Sequence, residues 1–269
     1  MWIAFSATFD RQLKTMHRAY PWSFFIGHIL DGIYMIIFAY LSYHFIFRGQ
    51  LNQQFSSYSG TTNYLAYAII GGMLNSFSVS LLMIVSRMLI TEMREGTLEA
   101  LLLTPSSRLG YFLGAAVQGL MRSSIELAAI CCVGLFFGLQ IFTAHAWLLF
   151  PILVAFCFAI FAQALVLGSF MLIFRDTYIT QNTLFILMML VSGVSFPPQF
   201  LPVWVHSIGA IMPLSYGLNL FRGVVLQQQW SGQMTENLLA LLTIGSVYFI
   251  IGLAFIRRSE KTVVEKYFG

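Results

Sequence analysis

The chain has 269 residues, 58% of them hydrophobic and only 9% charged, against about a quarter charged in ordinary soluble domains. So few charged side chains cannot cover a globular surface, which makes lipid the solvent for most of the chain. The formal net charge of +4 comes from scattered basic residues with no aromatic-interleaved basic stripe, and this argues against a nucleic-acid partner.

Residues 1–22 mix aromatics with Arg11, Lys14 and Arg18 and contain no spanning run. An interfacial helix along the inner leaflet is expected there. The apolar run that follows reaches about Phe47, too long for a signal h-region of roughly 7–15 residues, so it reads as a retained first span. A bilayer-crossing helix needs about 20 apolar residues. Six segments meet that length: 23–46, 64–86, 108–140, 147–174, 178–197 and 236–256.

Six spans put both termini on one side. With the N-terminus inside, Arg11, Lys14, Arg18, Arg87, Arg94, Arg108, Arg175, Arg257, Arg258, Lys261 and Lys266 are cytoplasmic, while Arg48 and Arg222 fall outside and Arg122 lies within a span. That imbalance is the positive-inside signature. The expected fold is therefore an all-α polytopic membrane protein, N-in and C-in, forming a single domain over residues 1–269.

The element between the second and third spans, residues 87–107, is then cytosolic. It holds the one dense acidic cluster of the chain. From Glu92 to Leu103 only Gly96 interrupts a helical pattern, and Pro105 ends it. On a continuous helix Glu92, Glu95 and Glu99 fall within about 60° of one another. The spacing predicts a short amphipathic helix with an acidic stripe facing the cytosol, suited to docking a soluble partner. A serine after Pro105 is then placed to cap the third span.

Pro197, Pro198, Pro202 and Pro213 break any continuous helix before the last span. Phe200, Trp204 and Ile208 are nevertheless too apolar for a free loop. Residues 198–235 are expected to form short re-entrant helices at the outer mouth, with Pro197, Pro198, Pro213 and Tyr216 at an outer gate.

Polar groups inside the spans are sparse. Arg122 and Glu126 sit at i and i+4 of the third span and should pair; Asp31 in the first span has no local partner. Asn75 and Ser78 of the second span, and Gln181, Phe185, Met188 and Ser192 of the fifth, form mixed polar and adaptable faces. Such faces suit either an amphipathic cargo pathway or helix–helix contact. Gly110/Gly114 and Gly134/Gly138 are paired at the four-residue spacing of close-packing helices.

Catalytic constellations are missing. The three lysines, Lys14, Lys261 and Lys266, follow Leu13, Glu260 and Glu265, so no phosphate-binding Gly-Lys loop exists. Cys131, Cys132 and Cys157 lie in apolar runs without metal-ligand spacing. No enzymatic activity, metal or cofactor is expected of this chain itself. An ion-coupled secondary transporter using Asp31 and Glu126 is an alternative class, but it gives the acidic cytosolic helix no purpose.

The segment Glu92 to Pro105, with Gly96, Thr97, Leu98 and Glu99 at its centre, resembles the segment after the second span in ABC-2-type permeases. Pro213, Tyr216 and Arg222 are similar to that family's second marker before the last span. The resemblance implies the membrane subunit of a bacterial ATP-driven exporter in the cytoplasmic membrane. Its coupling helix would dock a cytosolic P-loop ATPase through Glu92, Arg94, Glu95, Thr97 and Glu99, with Gly96 permitting close approach. ATP and magnesium would be held by that partner. A second permease subunit, identical or paralogous, would complete a dimer whose second and fifth spans line the cargo route. The implied cargo is amphipathic: a drug, a lipid-linked molecule, an antibiotic or a glycan.

Overall fold

The computed structural model describes residues 1–19, 23–46, 53–104, 107–139, 145–174, 176, 178–227 and 230–268. Pro105, Ser106 and Arg175 lie outside the described residues, as do the side chains of Asp31 and Arg257. Among the described residues all regular structure is helical.

Helix α1 (Trp2–Ala19) is followed by α2 (Ser23–Leu41), which runs on into a π-helical turn at Ser42–Ile46, and by the short α3 (Gln53–Ser59). The long α4 (Tyr64–Ser86) starts where Asn63 accepts a hydrogen bond from the Ala66 amide at 3.0 Å, one orphan donor satisfied by an N-cap side chain. Two short helices, α5 (Met88–Arg94) and α6 (Leu98–Leu103), precede α7 (Arg108–Phe136). Ser107 caps α7 by accepting from the Gly110 amide. Then come α8 (Leu149–Phe174), α9 (Tyr178–Val191), α10 (Val203–Ala210), α11 (Pro213–Arg222) and α12 (Gly232–Phe268).

Among the described residues four stretches are long and apolar enough to cross a bilayer: Tyr64–Ser86, Arg108–Phe136, Ala146–Phe174 and Gly232–Ile256. The chain is thus a multi-pass membrane protein. The helix expected at 108–140 ends at Phe136, because Gly138 adopts φ +84° and turns the chain. The Leu139 amide reaches back to the Gly134 carbonyl and the Gly138 amide to Leu135, the hydrogen-bond pair of a glycine-terminated helix. Gly134/Gly138 is therefore not a packing pair. Only Gly134 meets a neighbour, Ile69 of α4.

The helix expected at 178–197 also stops early, at Val191. Its 14 residues reach about 21 Å, short of a hydrocarbon core of roughly 30 Å. Beyond it the proline-rich segment folds into a 3-10 turn at Pro198–Phe200 and the pair α10–α11, which meet at 91°.

The core lies where α4 and α8 cross. Phe77 of α4 stacks on Phe156 of α8 with centroids 6.3 Å apart, and α11 wedges between these two and α12. Helix α12 lies along α8, α2 covers α4 and α7, and α1 rests on the opposite flank of α7. That last contact is close. A Cβ on Gly110 would come within 2.5 Å of the Met1 carbonyl, and one on Gly114 within 2.6 Å of Phe5's. These two glycines are a groove into which the backbone of α1 is pressed.

Candidate docking and coupling site

The element expected between the second and third spans is two helices, α5 and α6, rather than one. Gly96 takes φ +72° with nothing of this chain near its Cβ position, so its backbone conformation by itself favours glycine. The Thr97 amide donates to the Glu92 carbonyl and the Gly96 amide to Met93, closing α5 with the same glycine turn that ends α7. The continuous helix over Glu92–Leu103 is thereby corrected.

So is the acidic stripe. Glu92 is only 1% exposed and points into the bundle. Its Oε1 accepts from the Arg11 guanidinium of α1 and, at 2.9 Å, from the Tyr111 hydroxyl of α7; Oε2 accepts from the Thr97 hydroxyl. Burial alone would push this carboxyl up. The hydrogen bonds from Thr97, Arg11 and Tyr111 and the charge of Arg11 outweigh it and hold Glu92 below its ordinary value. Arg11 is raised in return, because Glu92 outweighs its own partial burial. One carboxylate thus ties α1, the glycine turn and α7 together.

What remains exposed on the element is Thr91, Arg94, Glu95, Gly96, Thr97, Glu99, Ala100, Leu103 and Thr104. Leu103 is 80% exposed, an apolar knob beside two free-facing carboxylates. Behind it Leu98 is buried, and Met93, Leu101 and Leu102 pack on the core. The Arg108 guanidinium donates to the carbonyls of Leu101 and Leu102 at 2.9 and 3.0 Å, closing the C-terminus of α6 with a cation, as its dipole favours.

Between α1, the α4–α5 junction and α7 opens a crevice of about 460 Å³, lined by Arg11, Gln12, Arg87, Glu95, Gln118 and Arg122 among others. Arg122 at its deep end pairs with Glu126 at 3.1 Å, both side chains buried. Arg87 Nε donates to Gln181 Oε1 of α9 at 2.8 Å, linking the C-terminal end of α4 to the first turn of α9.

The residues expected along a cargo route are mostly closed off within the protomer. Ser78, Gln181, Met188 and Ser192 are buried, and Phe185 packs partly buried against the core. Ser78 donates to its own helix at Leu74, and Met188 lies beside Gln163 of α8. None of these, nor Asn75, lines the crevice between α1, α4–α5 and α7. At the expected outer gate, Pro213 is the first residue of α11, the Tyr216 hydroxyl donates to Ala210 at 2.9 Å, and His206 Nε2 donates to the Pro198 carbonyl at 2.7 Å.

Three participants escaped the sequence reading: Arg11, Tyr111 and Leu103. For Glu92 a signal existed. It lies three and four residues after Leu89 and Met88, both buried, so a helix counted from Met88 puts Glu92 on the apolar face. For Arg11 and Tyr111, 81 and 19 residues away, the spacing carries none.

A family model described as ABC-2 type transporter matches residues 3–226. No curated protein matches the chain.

Proposed function

We propose, from the premise that this chain belongs to the ABC-2 type transporter family, that it is the permease subunit of an ATP-driven exporter moving an amphipathic cargo across the membrane. A separate P-loop ATPase docks on the α5–α6 element and supplies the energy. The observation carrying this reading is the form of that element: an exposed face of Glu95, Thr97, Glu99 and Leu103 whose reverse side is tied by Glu92 to α1 and α7. A partner gripping the face moves those helices with it, and through Arg87 and Gln181 the base of α9. A loose loop would absorb the push instead.

The cargo route runs where α9 meets α4 and α8. Side-chain atoms of Asn75, Gln163, Gln181 and Ser192 are buried there without a protein hydrogen-bond partner, an expensive state in hydrocarbon. Separation of α9 from the other two helices lets cargo or water satisfy them. The other side of α9 exposes Ile186, Met189 and Leu190, and a second permease subunit covers this side.

Reversing the exposed charges in the double variant Glu95→Lys, Glu99→Lys tests the docking role. The permease should still fold and insert while ATPase retention on purification falls by roughly tenfold or more, the cost expected when like charges are forced into an interface. Undiminished retention places the docking surface elsewhere.

A further inference from the structure

Arg222 at the end of α11 is buried, 6% exposed, far from the α5–α6 element. Its Nη1 donates to the Gly193 carbonyl at 2.8 Å, and Nη2 to Tyr67 and Val194 at 3.0 and 2.8 Å. The guanidinium lies over the Tyr67 ring, 3.4 Å from its centroid. These contacts hold the turn after α9 against α4, where a Cβ on Gly71 would strike the Val194 carbonyl at 1.9 Å. They leave two things unmet. Among the described residues no carboxylate pairs with Arg222, and its Nε donates to no protein acceptor.

Arg222 also lines a cavity of about 140 Å³ where α3, α4, α11 and the start of α12 converge. The rest of the lining is hydroxyl, amide, proline, one glycine and one methionine; Tyr58, Gln199, Asn219, Gln233 and Asn237 bring donors, and no carboxylate is among the lining residues. Glu236, beside Asn237 in the chain, is exposed and outside the lining. The crevice between α1, α4–α5 and α7 differs in kind, since its Arg11 and Arg122 each have a carboxylate partner. A buried cation without a counter-charge is costly, and here it borders a donor-rich cavity. The cavity is far below the roughly 300–1,000 Å³ of sites that enclose a whole ligand.

We infer that this cavity binds a single phosphate oxyanion, drawn by the uncompensated charge of Arg222 in its wall and held by the surrounding amides and hydroxyls as donors. The inference rests on the exporter reading for one point, that the cavity opens on the outer face. The phosphate belongs to a phospholipid headgroup of the outer leaflet, or arrives as a free anion.

The test uses the full chain in phosphatidylcholine nanodiscs doped with phosphatidylglycerol, with retained lipids counted by native mass spectrometry. Since Arg222 also holds the fold, the variants are Asn219→Asp and Asn237→Asp, which put a carboxylate at the cavity without touching the cation. The wild type should retain phosphatidylglycerol selectively. Both variants should lose it by roughly tenfold or more through like-charge repulsion, with unchanged melting temperature. Displacement by inorganic phosphate assigns the site to free anions, and resistance to displacement assigns it to the lipid headgroup. A wild type that holds neither phospholipid nor inorganic phosphate more tightly than the variants do, or wild-type retention by both variants, overturns the inference. ATPase retention scored on the same samples keeps this outcome separate from the exporter reading, which stands or falls on that second number.

Discussion

Glu92 shows how one side chain can change meaning between sequence and structure. In the sequence it heads an acidic cluster; in the fold it is a buried acceptor for three donors on three elements. Because its folded value lies below the ordinary 4.5, the tie contributes fully above the ordinary carboxylate range and is lost as pH falls through the lowered value. Hydrogen exchange of the α1 amides should therefore stay flat between about pH 8 and pH 5, after correction for intrinsic rates, and rise below that. Glu92→Gln should raise α1 exchange already at neutral pH, by the roughly 1.5–3 kcal/mol of a charged hydrogen bond. Unchanged α1 protection in that variant would show the tie to be idle. Gly96 makes a second residue-scale case. Its Cβ position is open, so Gly96→Ala meets only backbone strain, about 1–2 kcal/mol. A thermal midpoint lowered by a few degrees and largely restored by Gly96→Asn, which tolerates this conformation, is the expected pattern.

At the scale of elements, α1 matters most, because the N-terminal helix is packed into the bundle along α7. It lies in the Gly110/Gly114 groove of α7 at one end and is held by Glu92 further along. Gly114→Val should push it out. An inserted side chain 2.6 Å from a carbonyl cannot be accommodated without backbone movement, costing about 1–3 kcal/mol. Spin labels on Thr15 and Gln118 should then move apart, and an unchanged distance would deny the groove its role. Gly110/Gly114 could be read from sequence because close packing has a fixed spacing. The ends of α5 and α7 were equally legible in principle, through Gly96 and Gly138, had the glycines been read as stops. The membrane-spanning class, the break before α10 and the Arg122–Glu126 pair follow from local composition and helical period. The Glu92–Arg11 tie and the seat of Arg222 do not, since the residues that meet there are brought together by tertiary packing of helices far apart in the chain.

The whole molecule is a bundle with polar chemistry at its two ends and little between. At the α5–α6 end Arg11 and Arg122 each pair with a carboxylate and the exposed face carries Glu95 and Glu99; at the other, a buried arginine pins the turn after α9. On the proposed function a partner holds the α5–α6 element from outside, and the ties of that element pass motion to α1, α7 and, through Arg87, α9. This account stands on the presence of a partner. Purification of the tagged full chain from its native membranes in mild detergent, with mass identification of stoichiometric companions, tests that most directly. The account predicts a cytosolic P-loop ATPase at one copy per permease, lost when Glu95 and Glu99 are both reversed to lysine. Recovery of the chain without any ATPase, with its cytosolic face left free of the tag, would contradict it.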